Sequence, residues 1–215
     1  MKYKTVLFDL DGTLTDSGEG IMSSGRYALI QLGIAVPGEQ ELRTMVGPPL
    51  SVSFTRFGVP AEQVDEAIRL YRDQYNNRGG KYKNRVYPGI EEMLKELQDI
   101  GCRLFVATSK PEALAREILE RFQLASFFEY IAGATLDHSR ESKSDVLKYL
   151  LAMTGTAEDT VMIGDTSFDV TGAKEQGLPC VGVSWGYGLS EEMQQAGAVR
   201  IVDSPAELSA FLKES

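Results

Sequence analysis

The first apolar run of the chain ends in charge. Val6, Leu7 and Phe8 are consecutive apolar residues, the pattern of a strand buried on both faces, and the run stops at Asp9 and Asp11, two carboxylates spaced i, i+2. Gly12 then supplies a sharp turn away from the strand end. Two carboxylates at the mouth of a buried strand push one pKa up unless a cation lies between them. Comparable strand ends recur later. Residues 103–108 read as a strand, after which Ser109-Lys110-Pro111 starts a helix running through Leu114, Ile118, Leu119 and Phe122. Val161-Met162-Ile163 is a strand ending at Gly164-Asp165, followed by a helix over about 169–176 with Gly177 beyond it. Repeated strand-then-helix order predicts an α/β fold, a mostly parallel sheet with helices on both faces. Ligands in such sheets collect at the carboxyl ends of strands near a topological switch point. Asp9 and Asp11, Thr108 to Lys110, and Asp165 occupy three such ends.

Residues 17–80 read differently. Ile21, Gly25, Ala28 and Leu32 share one helical face that ends at Gly33, and residues 39–46 form a second helical segment broken by Gly47-Pro48-Pro49. Residues 50–57 start a third. Pro60 opens a longer pattern containing Val64, Ala67, Ile68, Tyr71 and Tyr75, which Arg78-Gly79-Gly80 ends. No strand pattern interrupts this block, so it reads as a small helical bundle inserted after the first strand. The predicted organisation is an α/β core of residues 1–16 and 84–215 with a helical insert over 17–83. The core also carries helices over 90–100 and 144–153, strands over 128–132 and 180–183, and a capping box at Ser204 to Glu207 that opens the last helix.

A length of 215 residues suits one large domain or a domain with an insertion. The formal net charge of −9 argues against a nucleic-acid polymer as partner and gives an anionic ligand no help from the global field. Affinity for phosphate must then come from local groups and a metal ion. Cys102 and Cys180 stand alone among apolar neighbours and read as buried thiols of a reducing compartment. No apolar run approaches a membrane span and no leader pattern opens the chain, so the expectation is a cytoplasmic protein with no membrane partner. His138, the single histidine, excludes multi-His zinc chemistry and argues against a Ser-His-Asp triad.

The string FDLDGTLTDS, residues 8–17, resembles the first motif of the haloacid dehalogenase-like superfamily, most of whose members are phosphohydrolases. The resemblance covers nearly the whole chain and looks closest to the phosphoglycolate phosphatase-like branch. Within it, VGPPL, VYPGI, ATSKP, MIGDTSFD and VSWGYG resemble bacterial 5′-nucleotidase-like members. Ser144 stands where many relatives have proline. The resemblance implies a Rossmann-like core with a small, mobile helical cap, and a Mg²⁺-dependent phosphatase working through an aspartyl phosphate. Asp9 is then the nucleophile, and Asp11 the residue that protonates the leaving alkoxide and later takes a proton from water. Crowding and partial burial are expected to raise the Asp11 pKa. Thr108 would hydrogen-bond the phosphoryl group, with Ser109 as a secondary candidate. Lys143 is preferred over its rival Lys110 as the lysine that pairs with nucleophile and phosphate. Gly164 to Asp169 is similar to the GDxxxD motif, which makes Asp165 a direct metal ligand and Asp169 either a second ligand or the partner of a metal-bound water.

The implied metal set is Asp9, Asp165, Asp169 and the backbone carbonyl of Asp11. Gly12, Thr13, Ser109, Lys110, Arg43 and Gly47 are candidate substrate-binding positions, the last two in the insert beside Arg56 and Arg78. Electrostatics demand the cation: each like-charge pair at ~4 Å costs ~4 kcal/mol at an effective ε of about 20. All-oxygen ligands favour Mg²⁺ over zinc. The implied substrate is a small phosphorylated metabolite or a nucleoside monophosphate, and the implied state a monomer or homodimer. A sugar phosphomutase of the same superfamily would share every core residue. A receiver domain places its acceptor aspartate on a middle strand, a dehalogenase lacks the second aspartate, and a non-enzymatic phosphoacceptor or binding module is disfavoured because no core catalytic position is lost.

Overall fold

The computed structural model describes residues 2–137, 139–155 and 158–214; His138 lies outside them. The chain divides into two compact units, Met1–Thr15 with Val86–Ser215, and Asp16–Arg85. In chain order, β1 (Thr5–Phe8) and the two-residue β2 (Thr15–Asp16) lead into α1 (Gly18–Gln31), α2 (Glu39–Arg43), α3 (Leu50–Arg56) and α4 (Val64–Arg72). After β3 (Arg85–Val86) come α5 (Ile90–Asp99), β4 (Arg103–Pro111), α6 (Glu112–Arg121), β5 (Tyr130–Ala134), α7 (Lys143–Thr154) and β6 (Thr160–Gly164). The chain closes with α8 (Ser167–Glu175), β7 (Cys180–Val183), α9 (Ser190–Ala196), β8 (Arg200–Val202) and α10 (Pro205–Glu214).

The first unit is built on a six-stranded sheet in the order β5-β4-β1-β6-β7-β8. All its pairings are parallel. Strand β1 has β4 on one side and β6 on the other, so the order reverses at the strand that ends in Asp9, which is where a ligand crevice forms in such sheets. Period-two alternation explains why the strands read as continuous apolar runs. Val6, Phe8, Leu104, Val106, Val161 and Ile163 join one core with Met93, Leu94 and Leu97 of α5, Ile118 and Leu119 of α6, and Leu208 and Leu212 of α10. Leu7, Phe105, Ala107 and Met162 face the other side, against Val146, Leu147 and Leu150 of α7, Val170 and Ala173 of α8, and Met193 of α9. Both cysteines are free and buried, and among the described residues no helix is long and apolar enough to cross a membrane.

The second unit is helical. Phe54, Tyr71 and Tyr75 form its aromatic centre, with Tyr71 stacked on Tyr75 at 5.6 Å and Phe54 edge-on to Tyr71 at 6.3 Å. Met45 is buried beside Gly25, where a Cβ would sit 2.4 Å from its sulfur. β2 and β3, which carry the chain into and out of this unit, pair as a two-stranded ribbon.

Several element boundaries differ from expectation for local reasons. β4 continues through Pro111 and α6 starts only at Glu112, because the residue before a proline is pushed away from the α region. Ser109 and Lys110 are therefore strand residues and do not sit at a helix N-terminus. α2 stops at Arg43, α3 at Arg56, and β5 lies two residues later than predicted. α9 and β8 were not predicted; β8 is a three-residue edge strand with an exposed arginine and carries no apolar run. At α10 only half of the expected capping box forms. Ser204 Oγ accepts from the Glu207 N–H, but the Glu207 carboxylate takes the Asp203 N–H instead.

Candidate active site

Strand register builds the site. Phe8 lies opposite Val106 on one side and Ile163 on the other. One step further along, the Asp9 N–H donates to the Ile163 carbonyl at 2.9 Å, so Asp9 leaves the sheet between the ends of β4 and β6. Asp165 follows β6, and Asp169 lies in the first turn of α8. Asp9, Asp165 and Asp169 each bring one carboxylate oxygen within 4.8 Å of the others, and all three are buried.

Lys143, the first residue of α7, closes this cluster. Its Nζ donates to Asp9 Oδ1 at 2.7 Å, to Asp169 Oδ1 at 2.8 Å and to the Ala107 carbonyl at 2.7 Å, which engages all three ammonium hydrogens. Three buried carboxylates therefore face one buried ammonium. Burial pushes the Asp9 carboxyl up to about 6, against the pull of Lys143, and the Asp169 charge adds to the rise. Burial, then Asp169 and Asp9, holds Asp165 well above the carboxylate range. Burial opposes the Lys143 charge, but Asp169 and Asp9 outweigh it and raise its pKa. Fully ionised, such a cluster is two positive charges short of balance.

Asp165 is held on every side. Thr13 Oγ1 donates to its Oδ1 at 3.3 Å, and the Tyr187 backbone N–H to its Oδ2 at 2.8 Å. Gly12, at φ +92°, and Gly186 leave it room: a Cβ on either would approach Oδ2 to 2.2 Å and 2.3 Å. Trp185 Nε1 donates to the Thr13 carbonyl at 3.0 Å and ties the loop after β7 to the turn after β1. Asp169 Oδ2 accepts from the Thr166 N–H at 3.0 Å and Thr166 Oγ1 at 2.8 Å, a capping interaction that also aims Oδ1 at Lys143.

Asp11 Oδ2 pairs with Lys110 Nζ at 2.7 Å. The pairing also separates the two lysines: Lys143 serves Asp9 and Asp169, and Lys110 serves Asp11. Thr108 is buried, and its Oγ1 accepts the Lys110 N–H at 3.2 Å; Ser109 is half-buried beside it. Arg43 and Gly47 belong to the second unit, Arg43 exposed at the end of α2 and Gly47 in the turn after it at φ +106°.

Residues 6–183 match the haloacid dehalogenase-like hydrolase family. The chain belongs to that family. Over 196 residues it is 41% identical to a 5′-nucleotidase of Pseudomonas aeruginosa, covering 90% of this chain and 88% of that one. Over 188 residues it is 48% identical to the tyrosine-protein kinase PtkA of Mycobacterium tuberculosis, covering 86% of this chain but only 64% of PtkA. The crystal structure of a predicted phosphatase from Clostridium acetobutylicum superposes with a TM-score of 0.95 at 43% identity, over 100% of both chains. The activity class of this haloacid dehalogenase-like hydrolase is accordingly that of the family's phosphatases.

Trp185, Gly186 and Tyr187 are the site residues that sequence reasoning did not assign. Their signal was the WGYG string directly after an apolar strand, but the contact to Asp165 comes from a backbone N–H, which no side chain announces. The hydrolase is expected to tolerate Gly186→Ala poorly. The new methyl would lie 2.3 Å from Asp165 Cβ and 2.5 Å from the Gly12 carbonyl oxygen, leaving neither room to stay. A loss of about 1–3 kcal/mol in urea denaturation is expected from such overpacking, together with a weakened metal response in thermal unfolding.

Proposed function

We propose that this hydrolase is a Mg²⁺-dependent phosphatase that cleaves small phosphate monoesters, nucleoside 5′-monophosphates foremost, through a phosphoaspartate at Asp9. The observation that carries the reading is the buried Asp9, Asp165 and Asp169 triad, with the Lys143 ammonium against Asp9 and Asp169. Its donors fit the ion: three hard carboxylate oxygens with no histidine or cysteine among them suit Mg²⁺. Bound there, Mg²⁺ supplies the missing positive charge and polarises the phosphoryl oxygens.

Asp9 attacks phosphorus in line as the leaving alkoxide departs. Asp11 gives that alkoxide its proton and later takes one from the water that releases phosphate and regenerates the Asp9 carboxylate. Lys143 and Thr108 hold the transferring group. Asp9, Asp165, Asp169 and the Asp11 backbone carbonyl would hold the ion. The unit of residues 16–85 is assigned as the cap that excludes water and selects the leaving group, with Arg43 and Gly47 as its specificity positions. Likeness to the 5′-nucleotidase supports the substrate class.

The test is phosphate release from a panel of nucleoside 5′-monophosphates, phosphoglycolate and sugar phosphates, with Mg²⁺ and with chelator. Mg²⁺-dependent release with highest kcat/KM on nucleotides is expected. A sugar phosphate isomerised without phosphate release, or release indifferent to Mg²⁺, contradicts the reading. The likeness to PtkA favours a second one, in which the phosphoaspartate passes its phosphoryl group to a tyrosine hydroxyl instead of water. Phosphotyrosine formed on an added protein acceptor, without phosphate release in its absence, would decide for it.

Metal and pH are linked. A carboxyl whose folded pKa is raised from 3.8 to about 6, as for Asp9, adds stability below its unfolded pKa and loses it as pH rises through about 6. Mg²⁺ binds the ionised form, so its stabilisation grows across that same window. The rise in Tm with Mg²⁺ is expected to be larger at about pH 7.5 than at about pH 5. An equal rise at both would show that ionisation of Asp9 is not coupled to the ion.

A further inference from the structure

We infer that Lys110 is a positioning residue for the proton-transferring Asp11, fixing its carboxylate so that Oδ1 is the oxygen offered to the leaving group. The inference rests on the phosphoryl-transfer reading above and adds a residue to it.

Asp11 and Lys110 are both largely withdrawn from solvent, their side chains 12% and 6% exposed, and Lys110 Nζ lies 2.7 Å from Asp11 Oδ2. The other oxygen, Asp11 Oδ1, is buried with no hydrogen-bond partner. A buried carboxylate oxygen without a partner is costly. That cost is relieved when a proton or a substrate hydroxyl group meets it. With Oδ2 held by the Lys110 ammonium, Oδ1 is the oxygen left to face the leaving group. The ion pair thus chooses the reactive oxygen.

The backbone of Lys110 is built into place. β4 and β5 run in register from Phe105 and Tyr130 to Ala107 and Ala132, and resume at Pro111 opposite Ala134. Thr108, Ser109 and Lys110 lie between on β4, against Gly133 alone on β5. The Lys110 N–H is fastened to Thr108 Oγ1 at 3.2 Å. Gly133 admits the bulge: a Cβ there would lie 2.5 Å from the Lys110 carbonyl oxygen and 2.6 Å from Glu112 Cα. Lys143, which engages Asp9, Asp169 and the Ala107 carbonyl, is committed elsewhere.

Leaving-group dependence separates this role from a phosphate contact. A p-nitrophenolate departs without a proton, whereas an alkoxide needs one. The Mg²⁺-loaded wild type, Lys110→Met and Lys110→Arg are compared on p-nitrophenyl phosphate and on a nucleoside 5′-monophosphate. Lys110→Met is expected to lower the ratio of alkyl to aryl kcat/KM by about 100-fold. Competitive inhibition by inorganic phosphate should stay at the wild-type level, and Lys110→Arg should recover most of the ratio. An unchanged ratio, or equal losses on both esters with weakened phosphate inhibition, overturns the inference and makes Lys110 a phosphoryl contact or a bystander. A wild type inert on both esters would instead refute the phosphatase reading. The pair is then tested by thermal unfolding of Lys110→Met, Asp11→Asn and the double variant, where additive shifts in Tm overturn the inference and non-additive ones support it.

Discussion

Asp9→Asn is expected to abolish phosphate release, lowering kcat by at least about four orders of magnitude, while the protein keeps its fold. The asparagine has the shape of the aspartate but no oxygen that can attack phosphorus. Folding is spared because burial already makes the Asp9 charge expensive, pushing its carboxyl up to about 6. Lys143 also retains Asp169 and the Ala107 carbonyl as acceptors. Single-turnover phosphate release and a thermal melt, run on the same preparation, check both halves. Residual turnover near the wild-type rate would remove Asp9 from the nucleophile's place.

Lys143→Met removes the ammonium that engages Asp9 and Asp169. Breaking a buried ion pair from one side costs about 3–5 kcal/mol because the remaining charges have no compensation, and here the remainder is Asp9 and Asp169 with Asp165 beside them. The raised Lys143 pKa means that its stabilisation is fully present at neutral pH, below its unfolded value, so the whole loss is felt there. Without the ammonium the carboxyls titrate still higher, and acidification to about pH 5 shrinks the loss. Mg²⁺ is expected to restore part of the stability by replacing the missing charge. Turnover is expected to fall by about 10²–10³-fold, the scale for loss of one preorganised electrostatic contact to the reacting group. Urea denaturation at two pH values, with and without Mg²⁺, measures all of this; a variant as stable as the wild type without metal would show that the triad does not depend on Lys143.

The parts of this site that were legible in the sequence are those that a period of two can carry. Val6 to Phe8 and Val161 to Ile163 are buried on both faces, and such runs announce both the strands and the acidic residues that end them. Parallel register then brings Asp9 and Asp165 together from opposite ends of the chain. The illegible parts depend on contacts with no local pattern. Pro111 delays α6 and leaves Ser109 and Lys110 on β4, where Lys110 Nζ meets Asp11 Oδ2. Tyr187 holds Asp165 through its backbone, so the identity of its side chain gives no warning. β8 is too short to read as a strand, and exists because the β7 edge offers it hydrogen-bond partners.

The most direct test of the account is chemical trapping of the covalent state. Enzyme turning over a nucleoside 5′-monophosphate with Mg²⁺ is quenched and treated with borohydride, which reduces an acyl phosphate to an alcohol, and the peptides are read by mass spectrometry. The account predicts homoserine at position 9, formed only when substrate is present. Phosphate released steadily while Asp9 is recovered unmodified, or reduction at another carboxylate, would contradict it.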